Sequence, residues 1–131
     1  MYLLDTNACI RVLNGSSQAV VNRMRAADPG EVRLCSVVKA ELLHGARHSA
    51  RAAANLEHLK AFCAPYICLP FDDLCAESYA IIRAELSAAR RLIGFNDLLI
   101  AATARAYDLT LVSHNVREFS RVSGFRVEDW E

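Results

Sequence analysis

Three carboxylates stand in this chain where no neighbouring charge accounts for them. Asp5 closes the stretch YLLD, Glu41 lies inside VVKAELL, and Asp97 opens DLLIAA. An acid among apolar residues needs a partner, because an unpaired buried charge is costly. On a helix that partner would sit three or four residues away. Around Glu41 those positions hold Val37, Val38, His44 and Gly45; after Asp97 they hold Ile100 and Ala101; and nothing basic follows Asp5 until Arg11. Each acid has an ordinary alternative. Asp5 could cap a helix, Asp97 could complement a helix dipole, and Glu41 could meet a distant arginine. One cause serves all three: a divalent cation. Oxygen ligands without a histidine or cysteine quartet favour Mg²⁺, with Mn²⁺ as a substitute, over zinc. Such an ion keeps several waters, can lower the pKa of one of them, and can clamp a phosphoryl oxygen.

Other chemistries lack parts. SVVK (36–39) matches the SxxK of penicillin-binding enzymes, but no KTG or SDN follows. DTN occurs once, whereas aspartic proteases need two DTG copies. A DxDxT phosphatase needs an acid at position 7, which is Asn7. No glycine-rich phosphate loop is present. His44, His48 and His58 lie in an arginine-bearing helical stretch and read as surface residues.

The elements that must position the acids follow from pattern and punctuation. Strands are expected at 2–5, 32–36, 66–70 and 109–113, with a possible edge strand at 125–130. Helices are expected at 6–15 (opened by Thr6 or Asn7 and closed by Gly15), 17–27, 37–48 (capped by Ser36), 49–63, 73–89 (capped by Asp72 or Asp73), 97–107 (capped by Asn96) and 115–122. In the long helix Leu74, Ile81, Ile82 and Leu86 recur at helical spacing. Strands alternating with helices predict an α/β fold with a parallel sheet covered on both faces. Ligands of such sheets sit beyond the carboxyl ends of strands, where strand order reverses. Asp5 ends the first strand, and Ser113, His114 and Asn115 end the fourth.

Composition agrees. A chain of 131 residues, 53% hydrophobic and 23% charged, can bury a core without staples, and no repeat or linker interrupts it, so residues 1–131 read as one domain. Five cysteines form no CxxC pair, which speaks against a disulfide framework and for a reducing, cytoplasmic setting. No apolar run is long enough for a membrane span, and YLL reads as a strand rather than a leader. Net charge is +0, so no global field draws the chain to nucleic acid. Lys39 and Lys60 are the only lysines among 15 basic residues, and arginine is the better match to phosphate.

Four stretches resemble a known family when taken in order: YLLDTN, SVVKAELLHGA, IGFNDLLIAATA and LTLVSHNVREFSRV, followed by VEDW. They look like the VapC toxins, which are PIN-domain ribonucleases, and the resemblance runs over essentially the whole chain. It implies a PIN-like fold, a central parallel sheet of four to five strands with helices on both faces. It also implies Mg²⁺-binding carboxylates at Asp5, Glu41 and Asp97, the three singled out above. The family cleaves RNA, several members transfer RNA near the anticodon, and a cognate VapB-like antitoxin silences them. Homodimers and toxin–antitoxin hetero-oligomers are implied as well. Many PIN nucleases carry a fourth acid after the last strand, where this chain has Asn115. Before Ile93 it has AARR, where relatives often have a glycine–proline turn.

The expectation is therefore a Mg²⁺-dependent endoribonuclease. Asp5, Glu41 and Asp97 hold the metal; Ser113 and Asn115 touch the cation or its waters; Thr6 or Asn7 steadies Asp5. Arg90 and Arg91, just ahead of the Asp97 helix, are the candidates for holding the RNA backbone. Two other readings share these residues: a PIN-like module that binds RNA or protein without cutting, and a DNA-directed nuclease.

Overall fold

Short apolar stretches pair into one sheet in the computed structural model, which describes residues 1–131. The strands are β1 (Tyr2–Leu4), β2 (Val32–Cys35), β3 (Ile67–Leu69), β4 (Thr110–Val112) and β5 (Arg126–Glu128). They lie in the order β3-β2-β1-β4-β5, every pair parallel. The helices are α1 (Thr6–Asn14), α2 (Gln18–Ala26), α3 (Ser36–Arg47), α4 (Ala52–Cys63), α5 (Asp73–Ala88), α6 (Phe95–Ala106) and α7 (Val116–Phe119), with a 3-10 turn at Pro29–Glu31. The α/β expectation holds, with the edge strand present as β5.

Adjacent strand residues point to opposite faces. Leu3 and Leu4 are both fully buried, as are the pairs Leu34–Cys35 and Leu111–Val112. Both faces of the sheet are therefore covered, as a parallel sheet requires. The closing segment belongs to the same core: Trp130 is buried, meets the Tyr2 ring edge-on at 5.2 Å, and lies under the Arg23 guanidinium at 4.8 Å.

The chain steps from β1 to β2 to β3 on one side and places β4 and β5 on the other. Strand order thus reverses at β1, and the crevice beyond the ends of β1 and β4 is the switch point. An antiparallel α5–α6 hairpin brings Asp97 there. Its far end is tied by the Tyr107 hydroxyl, which donates to Asp72, while Asp72 also caps α5 by accepting from the Cys75 N–H at 3.1 Å.

Several boundaries differ from the sequence expectation, each for a local reason. Asp5 leaves the first strand and itself caps α1, accepting from the Ala8 N–H at 2.8 Å, so neither Thr6 nor Asn7 opens that helix. Helix α3 starts at Ser36 with Cys35 at the cap position, and α6 starts at Phe95 with Gly94 there, so Ser36 and Asn96 cap nothing. Helix α4 begins only at Ala52, because Ser49 bonds back to the Ala46 carbonyl at 2.6 Å and closes a turn. The buried stripe of α5 is Cys75, Ser78, Ile82 and Leu86; Leu74 and Ile81 lie on its open flank, 59% and 48% exposed. Gly15 ends α1 at φ 66°, as expected of a left-handed cap. Arg90 follows α5 at φ 55°, a conformation that costs a side-chain-bearing residue about 1 kcal/mol, where a glycine would cost little.

Candidate metal centre

Four elements deliver one carboxylate each. Asp5 sits at the end of β1, 5% exposed, and its N–H extends the ladder by donating to the Val112 carbonyl at 3.1 Å. Burial raises its carboxyl above the ordinary range, opposed by the neighbouring Ser113 hydroxyl and the Ala8 N–H; Glu131 raises it a little and Arg11 lowers it. Glu41 lies in the second turn of α3, half-buried, with its Oε1 enclosed and unpartnered. Asp97 lies in the first turn of α6, half-buried. Its carboxyl is pushed up to about 6, first by burial, then by the charge and hydrogen bond of Glu118, then by Asp5 and Glu41. Those influences place Glu118, Asp5 and Glu41 within electrostatic reach of Asp97.

Glu118 is the residue that sequence reasoning missed. It comes from α7, directly after β4, and is fixed by two donors: the Gly94 N–H to Oε1 at 3.2 Å and the Asn115 side-chain amide to Oε2 at 2.5 Å. Its surroundings in the chain hide it, because Arg121 stands three residues on and offers an ordinary surface pair. Arg121 instead donates to the Leu92 carbonyl at 3.4 Å. The absent acid at Asn115 is thus matched by an acid one helical turn later. Asn115 itself orients Glu118, and Ser113, buried and beside Asp5, accepts from the Asn115 N–H at 3.0 Å.

Thr6 and Asn7 do not play the part expected of them. The Thr6 hydroxyl is buried without a partner and Asn7 is exposed, while the Ala8 N–H holds Asp5 and the Ser113 hydroxyl lies beside it. Arg90 and Arg91 are exposed in the loop leading to Asp97 and join no ion pair.

None of the four acids pairs with a lysine or arginine. Arg11, the only cation acting on Asp5, is already held by Glu131 at 3.0 Å. Hard oxygen donors, mutual repulsion and an orphaned Glu41 oxygen fit a divalent cation that keeps part of its water shell. A tighter convergence of potential ligands lies in the tail: His114 Nδ1 meets Asp129 Oδ2 at 3.0 Å and Glu131 Oε2 at 3.2 Å. There the imidazole and the carboxylates hold one another, whereas none of the four acids of the Asp5 centre forms an ion pair.

Replacing Glu118 by glutamine should move the Asp97 titration down toward the ordinary carboxylate range, since the largest neighbouring charge is gone. Carbon-detected NMR of the side-chain carboxyls reads this directly. An Asp97 titration that stays where it was would separate the two residues.

The family model for the PIN domain matches residues 2–124. The chain is 37% identical to ribonuclease VapC2 of Haemophilus influenzae over 98% of its length and 97% of that protein's. It is 36% identical to the tRNA(fMet)-specific endonuclease VapC of Shigella flexneri, with the same coverage. The crystal structure of DNA-bound VapBC from Salmonella typhimurium superposes with a TM-score of 0.93 at 32% identity, covering 99% of this chain and 98% of that one. The sheet order, the acids and these likenesses agree, and the chain belongs to the PIN-domain family, among the VapC ribonucleases, a family of metal-dependent nucleases.

Proposed function

We propose that this chain is the toxin of a VapBC-type toxin–antitoxin pair, an endoribonuclease working with Mg²⁺, or Mn²⁺ in its place, at Asp5, Glu41, Asp97 and Glu118. The observation that carries this reading is the gathering of four carboxylates from four elements at the switch point with no cationic partner. When bound there, the cation supplies Lewis-acid stabilisation of the phosphate and a more acidic water. The chain's own part is to hold the ligands in place. The Ala8 N–H holds Asp5 with Ser113 beside it, α6 presents Asp97, and Gly94 with Asn115 fixes Glu118, whose carboxylate would orient the attacking water.

The whole chain, 1–131, is read as one PIN domain. The naming of the Shigella relative supports a structured RNA such as tRNA as substrate. Structures of VapBC complexes from Salmonella and from Rickettsia felis support a VapB-like antitoxin as partner; a toxin homodimer and toxin–antitoxin hetero-oligomers are our own proposal. No helix is long and apolar enough to cross a membrane, and the place of action we propose is the cytoplasm.

The test uses the purified chain, freed of antitoxin, with total RNA in Mg²⁺ or in EDTA, and the new ends sequenced. Discrete cuts in Mg²⁺ that vanish in EDTA are expected, with DNA of the same sequence left whole. Intact RNA in Mg²⁺ would leave a binding module, and cut DNA would make the chain a DNA-directed nuclease.

RNA affinity should depend on the local arginines, because the chain as a whole is neutral. Replacing Arg90 and Arg91 together by alanine is expected to weaken binding for all sequences and to flatten the log–log salt dependence by up to about two contacts' worth. Binding measured at several salt concentrations checks this; an unchanged slope places the pair off the RNA path.

A further inference from the structure

Beside the carboxylates lies a cleft between α3 and α6 with a volume of about 500 Å³. Val37, Ala40 and Leu99 give it apolar walls, Ser36, His44 and Asn96 a polar rim, and Glu41 is the wall it shares with the metal centre. No lysine or arginine lines it. The three polar side chains on the rim make no hydrogen bond within the chain, and this follows from how the two helices begin. Cys35 and Gly94 occupy the cap positions, so the Ser36 hydroxyl and the Asn96 amide are left free. His44 stands one turn after Glu41 on α3, exposed, with its ring stacked on that of His48 at 5.8 Å and 15°.

Those features suit a flat group with apolar faces and polar edges and do not suit a phosphate, which would meet Glu41 and no cation on the cleft side. A nucleobase is such a group. Proteins that read single-stranded RNA stack unpaired bases on aromatic rings, histidine included, and bond to the base edges. An asparagine amide offers the adjacent donor and acceptor that an adenine edge matches. We propose that the cleft seats one unstacked nucleotide adjoining the bond that is cut, with the His44 ring against the base face and Asn96 at its edge. The phosphate then falls between the cleft and the Asp5 centre, on the far side of Glu41. His44 and Asn96 act here as positioning and specificity residues. This inference rests on the nuclease reading, and its test separates the two.

The first measurement is of binding and needs no cleavage. In the Asp5→Asn variant, the imidazole signals of the chain's four histidines are followed by NMR while a single-stranded adenylate or uridylate hexamer is added. The His44 signals are expected to move and those of His58 and His114 to stay. The second measurement sequences the cuts that active protein makes in an RNA hairpin with a randomised loop. His44→Ala is expected to raise KM about tenfold, the worth of one stacked base, while kcat stays within about threefold. His44→Phe should restore KM, because the platform is restored, and Asn96→Ala should flatten the base preference at one position next to the cut. The proposal is overturned if RNA binds with His44 unmoved, or if both alanine variants cut with the wild-type KM and preference. It is also overturned if His44→Ala changes only the mass of the assembly, which would make the cleft a contact between two copies. Should wild-type protein cut nothing, the nuclease reading fails, and the His44 signals still decide whether the cleft takes a nucleotide.

Discussion

Asp97→Ala is expected to lower RNA cleavage by about a hundred- to a thousandfold, the scale of losing one charged group that stabilises a phosphoryl transition state. The same substitution should hold or raise the melting temperature of the metal-free protein, since it removes the acid that Glu118, Asp5 and Glu41 all repel. Opposite movement of activity and stability is what a binding site under internal repulsion predicts. Asp5 needs a gentler change because it has two jobs. It caps α1 through the Ala8 N–H, so Asp5→Ala costs about 1 kcal/mol in lost capping besides its charge. Asp5→Asn keeps a capping oxygen and removes the charge, and should abolish cleavage with little change in melting. Glu41→Gln should do likewise, because the Glu41 Oε1 bonds to nothing that a neutral amide would break. Cleavage within a few-fold of wild type in any of these three, with the circular-dichroism spectrum preserved, would remove that residue from the metal centre.

Added Mg²⁺ should stabilise the folded chain, and the size of the effect should depend on pH in a definite direction. A cation bound only to the native state at ten times its dissociation constant contributes about 1.4 kcal/mol, which raises the melting temperature of a chain this long by roughly 4–7 °C. Without metal, the Asp97 carboxyl titrates near 6 in the folded chain and near 3.8 in the unfolded one. The folded state therefore holds this proton more tightly. Its stabilising effect is complete below the unfolded value and is lost as the pH rises through about 6. Asp5, also raised by burial, acts in the same sense. Metal-free protein should thus lose stability between about pH 4 and about pH 6, and saturating Mg²⁺ should flatten that loss by stabilising the ionised carboxylates. Thermal melts at both pH values, with Mg²⁺ or EDTA, check it; parallel pH slopes in the two conditions would show that the cation does not engage these acids.

Much of the candidate site was legible in the sequence through what the acids lacked. Asp5, Glu41 and Asp97 stood out because helix geometry offered them no partner, and they have none in the fold. Glu118 escaped for the converse reason, with an arginine in reach along the chain that the fold sends elsewhere. The strand order could not be read locally, since nothing in YLL or TLV says that β1 lies between β2 and β4; only the assembled sheet brings Ser113 to Asp5. The caps were misread by one or two residues for a backbone reason. Cys35 and Gly94 take the cap positions without any side-chain bond, which no preference for polar caps would predict. That error left Ser36 and Asn96 assigned to capping, when they are free at the rim of the cleft beside Glu41. Leu74 and Ile81 have helical spacing, but α5 turns the parallel stripe Cys75–Ser78–Ile82–Leu86 inward instead.

The most direct test of the central claim follows free Mn²⁺ by electron paramagnetic resonance as it is titrated into wild-type chain, Asp5→Asn, Asp97→Asn and His114→Ala. The four-carboxylate centre predicts that wild type and His114→Ala bind the ion alike and that both aspartate variants lose that binding. Equal uptake by the aspartate variants, or uptake lost only with His114, would contradict it and move the metal to the tail cluster of His114, Asp129 and Glu131.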